Sequence, residues 1–405
     1  MPEPLRIALL THSLNPRGGV VHTFSLAEAL QSLGHAVTVF APALPGQRPF
    51  RPLSCALEAV PVGPAPADLA AMVEDRVGAL VQALARHVAD RPFDVFHAQD
   101  SLGGNALATL RERGVIGGFL RTVHHLDDFE DPRVAAWQQR GFVHADAVLC
   151  VSRTWCELLR ERHGIAAAQV PNGVDLARWS PRPGPADAAL VRRLGLRPGA
   201  PLVLAIGGLE ARKNAQRLIE AFVRLRRERP GAQLVIAGGA SLLDHGGYAA
   251  ACRARIALDG LTVGPGGDVL LTGPLPDADM PALMRAADVL AMVSLREGFG
   301  LVVLEALASG TPVVVSRQAP FTEYLAEHEA GWADPHAVAS IAEALAAATD
   351  PARLRRAATA ADGDPAAVPA VCRRHGWAAS AQRHVALYRA QRALARRPRD
   401  AATAA

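Results

Sequence analysis

Two carboxylates, Glu297 and Glu305, enclose the segment Glu297-Gly298-Phe299-Gly300-Leu301-Val302-Val303-Leu304-Glu305, seven residues apart. Gly298 and Gly300 let the backbone approach a ligand closely, and a helix starting at Leu301 leaves its first amides unpaired toward whatever the loop holds. That arrangement suits an anionic or polyhydroxyl ligand. Glu305 falls about one turn into this helix on the face of Leu301, so both carboxylates are expected to reach one bound molecule.

Three other segments carry chemistry. In Gly207-Gly208-Leu209-Glu210-Ala211-Arg212-Lys213-Asn214, the cations Arg212 and Lys213 follow an apolar run and precede a helical one. A guanidinium fork and an ammonium point charge there suit a pyrophosphate, and cations at a helix start oppose its dipole, which weakens a purely structural reading. Lys213 is the only lysine in the chain. The glycine pair Gly18-Gly19 lies between the first apolar run and the first amphipathic stretch, where open α/β folds bind ligands, although it does not form a dinucleotide fingerprint. His124-His125-Leu126-Asp127-Asp128 holds enough His and carboxylate for a metal reading. Its spacing is poor for zinc, and adjacent histidines at a strand end point oppositely, so one, His124, is expected to face a ligand.

Elements that would position these residues alternate along the chain. Leu5 to Thr11, Ala36 to Phe40, Val95 to His97, Phe119 to Val123 and Ala147 to Val151 read as strands, with a helix from Val21 to Leu33. A second series follows at Leu202 to Ile206, Leu234 to Ala237, Val269 to Leu271, Val289 to Val293 and Pro312 to Val315. Helices are expected over Gln216 to Arg229, Asp279 to Ala287, Leu301 to Ser309, Ile341 to Ala348 and Trp377 to Ala395. The expected organisation is a Rossmann-like domain over residues 1–176, a Pro, Gly and Arg-rich linker over 177–200, a second Rossmann-like domain over 201–372, a closing helix over 373–395 that returns to the first domain, and a disordered tail over 396–405.

With 405 residues, half of them hydrophobic, the chain can bury two cores. No apolar run reaches the roughly 20 residues of a membrane helix, and Leu5 to Leu10 is too short for a signal peptide, so a cytoplasmic protein is expected. Five cysteines without a C-x-x-C pair argue against a disulfide framework and a cysteine zinc site. The first 180 residues hold 16 Arg and 18 acidic residues, so the net charge of +4 comes from the remainder. That balance gives no general nucleic-acid surface. The arginines of 216–229 read as a solvated helix face.

Taken in order, the Gly18-Gly19 loop, His124, Val151-Ser152, Asn172-Gly173-Val174-Asp175, Lys213, the Glu297 and Glu305 pair and Gly310-Thr311-Pro312-Val313-Val314 make the chain resemble the retaining nucleotide-sugar glycosyltransferases of glycosyltransferase family four. The resemblance covers nearly the whole chain. It implies the α/β GT-B fold, two Rossmann-like domains with parallel sheets facing across a cleft, and a nucleoside-diphosphate sugar as donor for an unidentified acceptor. It also implies roles: Glu297 near the donor sugar, Glu305 on the ribose, Arg212 and Lys213 on the diphosphate. Amides around Phe299, Gly300 and Leu301 would meet sugar or phosphate, Gly18 and Gly19 the phosphate, and His124 the sugar. No metal or other cofactor is expected. Two departures stand out, Gly208 where the family usually has Arg, and Arg317 and Gln318 after Ser316 where it usually has a glycine pair. An epimerase or hydrolase on the same fold, or a catalytically silent nucleotide-sugar binder, are the alternative readings.

Overall fold

Short aliphatic runs bounded by turn residues are buried on both faces when they form parallel strands, and that is how they fold here. The computed structural model describes residues 3–239, 246–350 and 368–395. The chain divides into two compact units, residues 1–172 with 377–405, and residues 173–376.

The first unit contains β1 (Arg6–Leu10), β2 (Ala36–Ala43), β3 (Ala56–Pro61), β4 (Val95–Ala98), β5 (Leu120–Val123), β6 (Ala147–Cys150) and β7 (Ala168–Gln169). They form one sheet in the order β3-β2-β1-β4-β5-β6-β7, and every pairing is parallel. Helix Trp377–Ala395 completes this unit from the far side of the sequence. Its Ala381, Val385 and Tyr388 pack with Leu9, Phe24 and Val39 in a single apolar cluster, and Tyr388 is fully buried.

The second unit contains β8 (Leu202–Ile206), β9 (Gln233–Ala237), β10 (Val269–Gly273), β11 (Val289–Met292), β12 (Val313–Ser316) and β13 (Gly331–Ala333), in the parallel order β10-β9-β8-β11-β12-β13. Helix Ala215–Glu228 buries Leu218, Ile219, Phe222 and Leu225 against it; Arg224 and Arg227 are exposed as a solvated face predicts, whereas Arg226 is held to Asp268 at 2.8 Å. The sheets, helices and order of elements are those expected of two Rossmann-like domains.

Several boundaries differ from the sequence reading. Residues 177–200 are not an extended linker. They include helix Asp187–Leu194, held to the second unit by a bidentate Arg285–Asp187 pair at 2.7 and 2.8 Å and by Arg193–Asp279 at 2.5 Å. Ion pairs between distant segments leave no periodic signature, so the Pro and Gly content is the stronger signal in this stretch of sequence. The first helix begins at Gly18 rather than Val21, which makes the glycine pair its opening residues. Strands β3, β7 and β13 are additional; each is an edge or near-edge strand, short or only partly buried. The expected tail, 396–405, lies outside the described residues.

Candidate functional site

Open parallel sheets bind ligands beyond the carboxyl ends of their strands, where the strand order reverses. In the second unit that point lies between β8 and β11. The loop after β8 starts with two glycines in positive-φ conformations, Gly207 at 127° and Gly208 at 71°. A Cβ on Gly207 would stand 2.8 Å from Lys213 Cε, and one on Gly208 would stand 2.9 Å from the Gly239 carbonyl oxygen. In this loop conformation Gly208 has no room for a side chain, and the nearby cations come from Arg212 and Lys213.

A single 3-10 turn, Ala211–Lys213, leads to Asn214 at φ 62°, whose buried side-chain amide donates to the carbonyls of Val293 at 3.0 Å and Pro335 at 2.7 Å. This left-handed residue redirects the chain into helix Ala215–Glu228. Lys213 thus stands before the helix, in the turn that precedes it. Lys213 Nζ donates to Glu297 Oε2 at 2.5 Å, while Arg212 places Nη1 3.6 Å from Glu297 Oε1 and Nη2 3.2 Å from Glu210 Oε2. Burial opposes ionisation of the Glu297 carboxyl, but Lys213, Arg212 and the Gly298 amide more than offset it and hold the pKa at about 2. Burial also lowers the Lys213 pKa, opposed by Glu297. Lys213 and Arg212 thus share the Glu297 carboxylate, and Arg212 also faces Glu210.

Phe299 is buried and stacks on Tyr324 with ring centroids 4.7 Å apart, and the Tyr324 hydroxyl donates to the Phe299 carbonyl at 3.1 Å. Gly300, at φ 87°, caps helix Leu301–Ala308 with no side-chain bond to its first amides. A Cβ there would lie 2.7 Å from the Phe321 ring, so close packing and conformation both require glycine. Glu305 lies on that helix, as expected, but its charged neighbours are Arg178 and Asp277. Burial, reinforced by Asp277 and opposed by Arg178, raises its pKa to about 7. Arg178 and Asp277 pair at 2.7 Å. The structure therefore brings Arg212, Lys213 and Glu297 into contact and sets Glu305 in a separate electrostatic environment.

In the first unit the strand order reverses between β1 and β4. Gly18 and Gly19 open helix Gly18–Ser32, whose N-cap Arg17 makes no side-chain cap bond. Gly19 lies against His124: a Cβ would meet the ring at 3.4 Å. His124 points inward and its Nε2 faces Gln99 Oε1 at 3.2 Å, whereas His125 points outward and pairs with Asp127 at 3.2 Å. This opposition is what adjacent residues at a strand end predict.

Behind His124 is a set of histidines that sequence reading missed. His22 meets His124 edge-on with centroids 4.6 Å apart, and its Nδ1 pairs with Asn172 Oδ1 at 2.8 Å. His97 bonds Tyr388 and Thr122, both at 2.8 Å, and lies 5.7 Å from His384, whose Nδ1 donates to the Ser380 carbonyl. These residues are scattered from position 22 to 384, so only the fold assembles them. Burial keeps them neutral, with His22 lowered to about 3 and His384 to about 4.

A folded-state pKa below the unfolded value near 6.5 means the unfolded chain binds protons first as pH falls. The contribution of these histidines is therefore constant above about pH 6.5 and turns unfavourable below it, by on the order of 2 kcal/mol per such histidine near pH 5. His384→Leu should flatten this loss in melting temperatures measured from about pH 7.5 to 5; an unchanged slope would show that the buried imidazoles do not set it.

Two doubly wound units with parallel sheets, the second carrying a buried acid–base cluster at its switch point, constitute a GT-B fold. The solved sucrose-phosphate synthase of Thermosynechococcus elongatus shares it, with a TM-score of 0.77 and 23% identity over 96% of this chain and 100% of that one. So does Anabaena HepE in complex with UDP-glucose, with a TM-score of 0.74 and 18% identity over 95% and 100% of the two chains. The family model Glycosyltransferase Family 4 matches residues 16–178, and Glycosyl transferases group 1 matches 188–361. A D-inositol 3-phosphate glycosyltransferase of Xylanimonas cellulosilytica is 31% identical over 432 residues, 97% of this chain and 98% of that protein. The chain belongs to the group 1 glycosyltransferases. A protein of the same description from Segniliparus rotundus is 35% identical over 232 residues, which take in 55% of this chain and 46% of that protein. Among the described residues no helix is long and apolar enough to cross a membrane.

Proposed function

We propose that the chain transfers a sugar from a nucleoside diphosphate to a hydroxyl acceptor with retained anomeric configuration and without a metal. The observation that carries this reading is the contact of Lys213 and Arg212 with Glu297 at the carboxyl edge of β8 and β11. A diphosphate entering there exchanges one anionic partner of the two cations for another, so the charges stay paired through binding. As the bond from the anomeric carbon to the diphosphate oxygen breaks, negative charge grows beside Lys213 and Arg212. The acceptor oxygen forms the new bond on the same face, and its proton passes to the departing phosphate.

In this reading Glu297 orients the donor sugar, Glu305 the ribose, and the amides at Phe299, Gly300 and Leu301 the phosphate or sugar. On the first unit, Gly18 and Gly19 are assigned to phosphate and His124 to sugar. The relatives described as D-inositol 3-phosphate glycosyltransferases make a phosphorylated polyol the first acceptor to try.

A thermal-shift screen of UDP, GDP, ADP and their sugars should show one nucleotide that raises the melting temperature in a concentration-dependent way. NMR of the product formed from that donor should show the donor's anomeric configuration. An inverted product would end the retaining mechanism, and release of free sugar from every donor and acceptor pair would favour a hydrolase. Because Lys213 and Arg212 supply the positive charge that a divalent ion would otherwise bring, excess EDTA should leave the rate within about twofold. Loss of activity restored by a divalent ion would refute metal independence.

A further inference from the structure

The loop bearing Glu297 is gripped by the segment that leaves β12. Ser316 Oγ donates to the Ser294 carbonyl at 2.7 Å, and the Gln318 side-chain amide donates to the carbonyls of Ser294 at 3.0 Å and Leu295 at 2.9 Å. Both partners of Gln318 are acceptors, so only its NH2 group fits there, and its two N–H donors match the two carbonyls. Leu295 carries the connection onward: its own N–H donates to the Arg212 carbonyl at 2.8 Å. A run of hydrogen bonds thus passes from Gln318 through Leu295 to Arg212, joining the loops that follow β8, β11 and β12. Leu295 is two residues before Glu297, and Arg212 is next to Lys213. Glycine at position 318 has no side chain with which to make these bonds, so the departure from the family pattern after Ser316 is a gain of contacts at the site.

We propose that Gln318 is a positioning residue: its amide fixes the 294–300 loop, and with it Glu297 relative to Arg212 and Lys213, in the geometry that receives the donor diphosphate. This rests on the transferase reading above. Without that amide the Leu295 carbonyl would lose its side-chain donor and the Ser294 carbonyl would keep only Ser316 Oγ, so the loop between β11 and helix Leu301–Ala308 would lose the tie that sets its height over the cations.

Gln318→Met keeps the side chain's length and removes both donors. In the ligand-free variant, deuterium exchange at residues 295–300 should quicken by roughly tenfold, reporting local opening of that loop. With the donor found by the nucleotide screen, kcat should fall roughly tenfold while the acceptor KM stays within about twofold. In a Lys213→Ala background the same change should lower kcat by less than about twofold, because the cation to be positioned is gone. A purely structural role would instead lower the melting temperature and multiply with Lys213→Ala. Gln318→Asn, which retracts the amide by one methylene, should fall between wild type and Gln318→Met and serves if the latter does not fold. Unchanged exchange, or full multiplication with Lys213→Ala, would overturn the proposal. If the unsubstituted protein turns over none of the UDP-, GDP- or ADP-sugars, the transferase reading fails, while exchange at 295–300 still decides whether Gln318 fixes the loop.

Discussion

Lys213→Ala should lower kcat/KM by roughly 30- to 1,000-fold, corresponding to about 2 to 4 kcal/mol of transition-state stabilisation. The magnitude follows from where the ammonium is held. Lys213 is mostly buried, its stem lies against Gly207, and Asn214 sets the turn that aims it at Glu297. A charge fixed in a low-dielectric site needs no reorganisation when negative charge develops nearby, so its loss is felt chiefly in kcat. The fold should survive, because Arg212 remains 3.6 Å from the Glu297 carboxylate and keeps it from being an isolated buried charge. Steady-state kinetics with a melting curve separate the two effects. A variant that turns over at the original rate would remove Lys213 from the chemistry.

Glu297→Gln is expected to split binding from turnover. The substitution keeps size and hydrogen bonding but removes the carboxylate charge that Lys213 and Arg212 share, leaving Arg212 its pair with Glu210. Without that competitor the free nucleoside diphosphate should bind at least as tightly as before, since the cations no longer exchange one anion for another. Turnover should nevertheless fall roughly 100-fold, because the group assigned to orient the sugar has lost its strongest acceptor. Stability should drop by about 3 kcal/mol in the absence of ligand, as when one partner of a buried ion pair is removed. Calorimetric titration with the diphosphate and kinetics with the sugar nucleotide test both halves. Weaker diphosphate binding with unimpaired kcat would place Glu297 on the phosphate and away from the sugar.

The parts of this molecule legible in its sequence are those written in local pattern. Strand Leu202–Ile206 and helix Trp377–Ala395 fall where the apolar runs put them, because a buried parallel strand and a long helix each impose a period on neighbouring residues. The segment from Glu297 to Glu305 and the cations at 212 and 213 were legible because glycine, carboxylate and lysine carry constraints visible one residue at a time. What escaped depends on residues far apart. Helix Asp187–Leu194 was hidden in a Pro- and Gly-rich stretch and is anchored by Arg285, 98 positions away. His22, His97 and His384 look like unrelated surface or core histidines until the sheet gathers them behind His124. Gln318 read as the mere absence of glycine, since its value comes from two carbonyls on another loop. Glu305 was expected from helix spacing to reach the same bound molecule as Glu297, and spacing fixes a face but not the charges packed against it.

The bond between His97 and Tyr388 spans 291 positions, and it ties a central strand of the first unit to a helix that follows the whole of the second. During synthesis, the lobe whose residues emerge earliest must therefore wait longest to close its interior. Until Trp377–Ala395 leaves the ribosome, the apolar surface that receives Ala381, Val385 and Tyr388 lacks its cover, whereas residues 173–376 already contain everything their own sheet needs. Nascent chains halted before that helix should accordingly present a finished rear lobe and a front one prone to chaperone capture.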